Sequence, residues 1–276
     1  MNSGWSIQLK FKISLHQKDT ELLERIQNYF GGGTINKHGP QSVILTISSI
    51  KSLQKVFDHF DVYPLVTQKL ADYNLFKLAY KIVISKEHLT QEGLFKLVAI
   101  KGSLNLGLSS ELQSAFPSRS DGITNADKPL VTGSVNQLPD PNWLAGFATG
   151  EGCFFVVAQK RADFKQGYSF KLRFSICQHN RDEALLRSLE DYFGCGYIYK
   201  NRETFELVFT NFTEIALRSI KILPFFEKYP VEGAKYLDYK SFYKVANIMK
   251  AKGHLIMEGR DMILKIKEGM NTGRTN

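Results

Sequence analysis

The strongest constraint on the fold is that the chain repeats itself. Gly4-Trp5-Ser6-Ile7-Gln8-Leu9-Lys10-Phe11 matches Gly167-Tyr168-Ser169-Phe170-Lys171-Leu172-Arg173-Phe174 at a separation of 163 residues. The same separation carries Asp19 to Asp182, Leu22-Leu23 to Leu185-Leu186, and Tyr29-Phe30-Gly31 to Tyr192-Phe193-Gly194. Farther on it becomes 166, joining Tyr63-Pro64 to Tyr229-Pro230, Lys69 to Lys235, Asp72 to Asp238, His88-Leu89 to His254-Leu255, and Asn105 to Asn271. So many matches in order imply two copies of one unit, 1–116 and 138–276. The stretch between them, 117–137, is rich in Ser, Gly, Asp and Asn and reads as an exposed linker.

Each copy alternates the periods of strand and helix. From Trp5 to Leu15 apolar residues fall on every second position, with Ser6, Gln8, Lys10, Lys12 and Ser14 between them, which predicts a long half-buried strand. Asp19 is placed to cap a helix bearing Leu22, Leu23, Ile26, Tyr29 and Phe30, which Gly31-Gly32-Gly33 ends. Strand pairing is expected around Thr34–Lys37 and Val43–Ser48. Helices are expected over Ser49–Phe60 and Lys69–Ser85, and over a last segment capped by Thr90 and ending near Leu104. In the second copy, Asp140 and Pro141 open a helix through Trp143 and Leu144 to Gly150-Glu151. Cys153-Phe154-Phe155-Val156-Val157 then read as a strand. Gly146 and Gly150, four residues apart, clear one face of that helix. Each glycine costs about 1 kcal/mol against Ala in a helix interior, so the bare face is expected to receive another helix.

A tandem pair of units has pseudo-two-fold symmetry, which suits a duplex whose strands are themselves related by a two-fold. The charge balance agrees: 36 Lys and Arg against 27 Asp and Glu give +9, favouring a polyanionic partner. The three cysteines are odd in number and widely spaced, so neither a disulfide framework nor a zinc site is indicated. No apolar run reaches the length of a membrane span, and the first residues have no signal-peptide core. No P-loop, dinucleotide fingerprint or nucleophile elbow occurs.

Leu144-Ala145-Gly146-Phe147-Ala148-Thr149-Gly150-Glu151-Gly152 resembles the defining helix of the LAGLIDADG homing endonucleases, matching at Leu144, Ala145, Gly146, Glu151 and Gly152. Trp143 before it and Cys153-Phe154-Phe155 after it are similar to the single-chain fungal mitochondrial members. The resemblance implies an α+β protein of two pseudo-symmetric αββαββα units, whose antiparallel sheets form a DNA-binding saddle. It implies a site-specific endonuclease of a mobile mitochondrial intron, encoded and acting in the organelle matrix, that cuts double-stranded DNA with Mg²⁺ as cofactor. Such chemistry needs an activated water and neutralised charge on phosphorus, and a carboxylate holding Mg²⁺ can provide both. Glu151, with the Gly150 carbonyl, is the metal anchor so implied.

Lys200 is the expected basic catalytic partner, with Lys37 as its repeat counterpart and Arg202 as the fallback. Trp143, Gly146 and Gly150 form the expected helix interface. The expected DNA contacts are Gln8, Lys10, Lys12 and Lys37 in the first copy, and Gln159, Arg161, Ser169, Lys171, Arg173 and Ser175 in the second. A β-ribbon fits the major groove, where Arg and Lys read guanine and Gln reads adenine. The first copy has no counterpart of Glu151 in this sequence, so a second acid, and a monomeric double-strand nuclease, are expected only with a further N-terminal segment. Two other uses of the same surface stand beside this one: an intron RNA partner, as in splicing maturases, and a DNA-binding remnant without nuclease activity.

Overall fold

The computed structural model describes residues 5–105, 107–117, 126–127, 140–217 and 222–273. Most of the 117–137 linker lies outside these. The chain divides into two compact units, one of Met1–His16 with Leu23–Gly133, the other of Gln17–Leu22 with Ser134–Asn276. Each is α+β with an antiparallel sheet.

The second unit runs α6 (Pro141–Glu151), β4 (Gly152–Lys160), β5 (Tyr168–His179), α7 (Glu183–Phe193), β6 (Tyr197–Asn201), β7 (Thr204–Phe209), α8 (Ile222–Lys228), α9 (Gly233–Lys250) and α10 (Met257–Glu268). Its strands lie in the order β4-β5-β7-β6. In β4 and β5 the even-numbered positions from 152 to 158 and 170 to 176 face the helices, and the odd ones face away, as period-two side-chain direction requires. The inner face buries Phe154, Val156, Leu172, Phe174, Ile176, Leu207 and Phe209 in one cluster with residues of α6 to α10. Phe154 sits at its centre, with ring centroids 4.7 Å from Phe174, 5.3 Å from Phe226, 5.5 Å from Tyr239 and 5.4 Å from Phe242.

The first unit repeats the pattern with β1 (Phe11–His16), α1 (Thr20–Phe30), β2 (Thr34–Lys37), β3 (Ser42–Ile47), α2 (Ile50–Val62), α3 (Lys69–Ile84), α4 (Gln91–Ser103) and α5 (Ser110–Ala115). Ser49 caps α2 by accepting from the Ser52 N–H at 3.1 Å, and Thr90 caps α4 by accepting from Gly93 N–H at 3.0 Å. Gly31 and Gly194 follow α1 and α7 with φ of 65° and 56°, the left-handed conformation that suits glycine.

Two expectations need correction here. The strand predicted over 5–15 is a ladder only over Phe11–His16. The repeat explains the loss: in β5, the counterpart residues Tyr168–Arg173 pair with β4 alone, because β7 begins its pairing at Phe174. Among the described residues the first sheet has three strands, β1-β3-β2, and nothing fills the place of β4. Residues 6–10 keep the alternating exposure of a strand but join no ladder among the described residues. The first core correspondingly falls into two clusters, one around Leu45, Phe57 and Tyr80 and one around Leu75, Ile82 and Leu97. Beside the second, Ile7, Leu9, Phe76 and Leu97 help line a cavity of 430 Å³. Asp19, expected to cap its own helix, instead accepts from the Ala234 N–H at 2.7 Å and so caps α9.

One repeat position exchanges a hydrocarbon for an ionisable ring. In the second unit Phe225 lies 5.5 Å from Phe193, 5.0 Å from Phe226 and 5.3 Å from Tyr229. In the first, His59 takes that place, 5.7 Å from Phe30, 5.0 Å from Phe60 and 5.1 Å from Tyr63, with its Nδ1 hydrogen-bonded to the Tyr29 hydroxyl at 2.9 Å. Burial holds the His59 imidazole below its ordinary pKa, so the folded state binds fewer protons than the unfolded one. Stability is therefore expected to decline as pH falls below about 6.5. His254 is shifted the same way by burial and contributes to the same decline. His59→Phe should remove part of this slope in thermal melts between pH 7.5 and 5, and an unchanged slope would refute the assignment.

Candidate nucleic-acid interface and catalytic site

Asp140 starts α6 by accepting from the Asn142 N–H at 2.7 Å, with Pro141 at the first turn. The helix ends at Glu151, where the chain turns directly into β4. The loop before α9 holds this junction. Thr149 Oγ1 accepts from the Glu232 N–H at 3.0 Å, and the Lys235 ammonium donates to the Gly152 carbonyl. Glu232 gives α9 no side-chain cap, and the Asp19 bond to Ala234 serves instead, one residue from Lys235. A Cβ on Gly233 would lie 2.2 Å from the Asp19 carboxylate, so this close approach requires glycine.

Beside the junction, Glu151, Cys153, Phe155, Arg173, Ser175, Cys177 and Glu206 line a concavity of 260 Å³ on the outer face of the sheet. Among the described residues the Glu151 carboxylate takes part in no hydrogen bond or ion pair. Its oxygens, with the last-turn carbonyls that any helix end leaves unsatisfied, form a hard-cation donor set. No group of three His, Cys, Asp or Glu able to hold a metal occurs among the described residues. The protein side of such a site is thus partial, as suits Mg²⁺, which keeps most of its waters and takes one or two carboxylates.

Across the same face runs a bonded network. Arg173 Nη2 donates to Glu206 Oε1 at 2.7 Å and to the Tyr199 hydroxyl at 2.9 Å, and the Tyr199 hydroxyl donates to Glu206 Oε2. Burial alone would raise the Glu206 carboxyl, but the Tyr199, Ser175 and Arg173 side chains facing it outweigh that and hold the group below its ordinary value. Burial raises the neighbouring Cys153 thiol, which is therefore no thiolate nucleophile.

The expected site residues divide accordingly. Glu151 lies in the concavity, and Gly150 precedes it on α6. Gln159 and Lys171 are exposed on the outer face, with Ser169 half-buried opposite Gln159. Ser175 is on that face but buried, and Arg173 is tied to Glu206, so neither is the free reader expected. Arg161 is exposed in the hairpin turn and engages Asp163 through two nitrogens, at 2.8 and 2.6 Å. Gln8, Lys10 and Lys12 are exposed in the first unit.

Lys200 is not brought to Glu151. It alternates with Tyr199 on β6 and pairs with Phe205, which puts it on the helix side of the sheet, its ammonium 5.9 Å from the Phe205 ring. Lys37 pairs with Val43, on the helix side of the first sheet. On α6, Gly146 and Gly150 have no atom within 4 Å of an added Cβ, and Trp143 is half-buried, stacked on Phe147 at 4.9 Å.

Two features escaped sequence reasoning. The basic residue at the Glu151 junction is Lys235, not Lys200. The repeat carried its signal: Lys69, its counterpart, bonds Asp72 and Asn105, each at 3.1 Å, whereas Lys235 reaches across to Gly152. The partners differ because the first unit offers no α6–β4 junction among its described residues. The second feature is the aromatic character of the outer face, where Tyr197 and Tyr199 stack at 6.2 Å and the Lys267 ammonium lies 5.4 Å from the Phe155 ring.

An antiparallel sheet with an open polar-aromatic face, and a carboxylate unpaired among the described residues where a glycine-bearing helix meets the edge strand, make up the candidate site. Comparison with known proteins agrees: the family model described as LAGLIDADG endonuclease matches residues 1–80 and 144–246. The chain belongs to the LAGLIDADG endonuclease family. It is 41% identical over 264 residues to the probable intron-encoded endonuclease 3 of Neurospora crassa, an alignment covering 94% of this chain and 48% of that protein. It thus spans about half the length of that relative. A protein of ND4 intron 1 from Podospora anserina is 47% identical over 91 residues, 32% of this chain and 20% of the relative. Among solved structures, the homing endonuclease I-SmaMI bound to cleaved DNA matches with a TM-score of 0.92 and 42% identity, over 99% of this chain and 89% of that one. I-SmaMI has also been solved on uncleaved DNA in the presence of calcium ions, matching with a TM-score of 0.90 and 41% identity over 97% of this chain and 90% of that one.

Proposed function

We propose that the chain is the DNA-binding and cleaving part of a site-specific, Mg²⁺-dependent homing endonuclease that cuts double-stranded DNA, encoded in a mobile intron of a mitochondrial gene and acting in the organelle. The observation that carries this reading is the Glu151 carboxylate at the α6–β4 junction, unpaired among the described residues and open to the outer face of the sheet, with Lys235 docked on the carbonyl of the next residue, Gly152. Glu151 and the Gly150 carbonyl would hold Mg²⁺, which when bound supplies charge neutralisation on the phosphate and a more acidic water. Lys235 contributes a fixed positive charge where charge grows on the phosphate oxygens, a role that a pre-docked ammonium performs without reorganising. Gln159, Ser169 and Lys171 meet base edges and phosphates, and the stacked Tyr197 and Tyr199 add flat surface. Gly146 and Gly150 leave a face on which another helix can pack closely.

The test is direct. The full chain is incubated with Mg²⁺ and duplexes spanning uninterrupted copies of mitochondrial genes, and cut ends are mapped. Cutting at one sequence supports the reading, whereas binding that ignores salt concentration overturns it. Each phosphate neutralised should lower log K by about 0.9 per tenfold rise in salt. Lys235→Met should slow cutting by about 100-fold while DNA affinity in Ca²⁺ changes little. Lys200→Met, on the other side of the sheet, should not slow the cutting step. If Lys200→Met proved the slower variant, the assignment of the basic residue would be reversed.

A further inference from the structure

The charged lining of the Glu151 concavity consists of two carboxylates, Glu151 and Glu206, and one guanidinium, Arg173. Left to Coulomb attraction, one arginine facing two acids in one small space could neutralise either. Here it is committed to Glu206. Arg173 Nη2 donates both to Glu206 Oε1 and to the Tyr199 hydroxyl, and Tyr199 closes the ring onto the other Glu206 oxygen. Ser175 lies buried on the same face of the sheet and helps line the concavity with Glu206. Glu206 thus has two side-chain donors, Arg173 and Tyr199, and Glu151 has none among the described residues. The other nearby cation, Lys235, is docked on the Gly152 carbonyl.

We propose that Glu206 is a positioning residue that sequesters Arg173, so that Glu151 remains an uncompensated carboxylate able to take a divalent cation. The inference rests on Glu151 being the cation anchor. It also sets what Arg173 can do for DNA. Both two-pronged edges of a guanidinium include Nη2, so an Arg173 held in this way offers DNA single donors from Nη1 and Nε. It would not make the paired contact by which arginine reads guanine.

The test reads cation binding, not cleavage. Mn²⁺ is titrated into the full chain and free Mn²⁺ is followed by its electron paramagnetic resonance signal. The same titration of Glu151→Gln is subtracted to isolate the component that depends on Glu151. Glu206→Gln should weaken that component by about 10-fold, because the released Arg173 turns to Glu151. Arg173→Gln alone should leave it equal or tighter. The decisive case is the double variant Arg173→Gln/Glu206→Gln, which should return to within about twofold of the unsubstituted chain.

If Glu206 were itself a ligand, the double variant would stay as weak as Glu206→Gln, and the inference would fall. Unaltered binding in Glu206→Gln would overturn it as well. A folding defect would show in thermal melts and would not be relieved by removing a second member of the network. If the unsubstituted chain bound no Mn²⁺ through Glu151, the anchor itself would be wrong. Failure of the underlying reading is thereby separated from failure of the Glu206 role.

Discussion

Glu151→Gln is expected to lose strand cleavage by a factor on the order of 10³ while binding its DNA as well as before. The substitution keeps the length and shape of the side chain and removes only its charge. An amide oxygen is a poor replacement for a carboxylate toward a hard cation, and Glu151 is the only carboxylate of the concavity without a hydrogen bond among the described residues. Binding should survive because the outer face of the sheet is untouched, and one negative charge fewer does not repel a phosphate. Cleavage is measured with Mg²⁺ and binding with Ca²⁺ on the same preparation. Normal cutting by Glu151→Gln would show that the reaction is anchored elsewhere. Loss of binding together with cutting would point to a structural role for the carboxylate.

Phe154→Ala is expected to be the most damaging single change to stability in the second unit, at about 3–5 kcal/mol. Phe154 is fully buried, and its ring meets four other aromatic rings from β5, α8 and α9. Rings fixed by one another on three elements cannot collapse into the space left, so the cavity cost is not relieved. Against a total of about 5–15 kcal/mol, the loss is a large share. It also reaches the site, because the Phe154 carbonyl accepts from Asn271 Nδ2 at 3.0 Å, and Phe154 lies two residues from Gly152, where Lys235 docks. Trp143 belongs to the second unit and Trp5 to the first, so urea unfolding followed by fluorescence in a Trp5→Phe background isolates the relevant transition. A midpoint shift worth less than about 1 kcal/mol would refute the central place given to this ring.

The sequence by itself determined the elements and their duplication. Helix caps at Thr90 and Asp140, the glycine stops after Phe30 and Phe193, and the alternation in β5 are local features, and local backbone chemistry dictates them wherever the segment lies. Glu151 was singled out by the resemblance of residues 144–152 to the family's defining helix, since an acid at a helix end is by itself an ordinary solvated residue. What lay beyond reach depended on partners distant in the chain. The six residues from Trp5 to Lys10 alternate as a strand should, yet a strand is defined by hydrogen bonds to a neighbour, and only the sheet reveals whether one is present. Asp19 looks like a cap for the helix that follows it, but its carboxylate bonds an N–H 215 residues away.

Sidedness was the other decision left to the tertiary structure. Lys200 and Arg173 both read as basic residues on strands. Registration of β6 against β7 turns Lys200 to the helix side, and registration of β5 against β7 sets Arg173 near Glu206. A shift of one residue would exchange the faces, so turn geometry and core packing, more than residue type, settle which cation meets the outer surface. Lys235 is the clearest case. Its repetition at Lys69 marks it as a kept position, but its place beside Glu151 exists only because the start of α9 is folded against the α6–β4 junction and held there by Thr149 and Asp19.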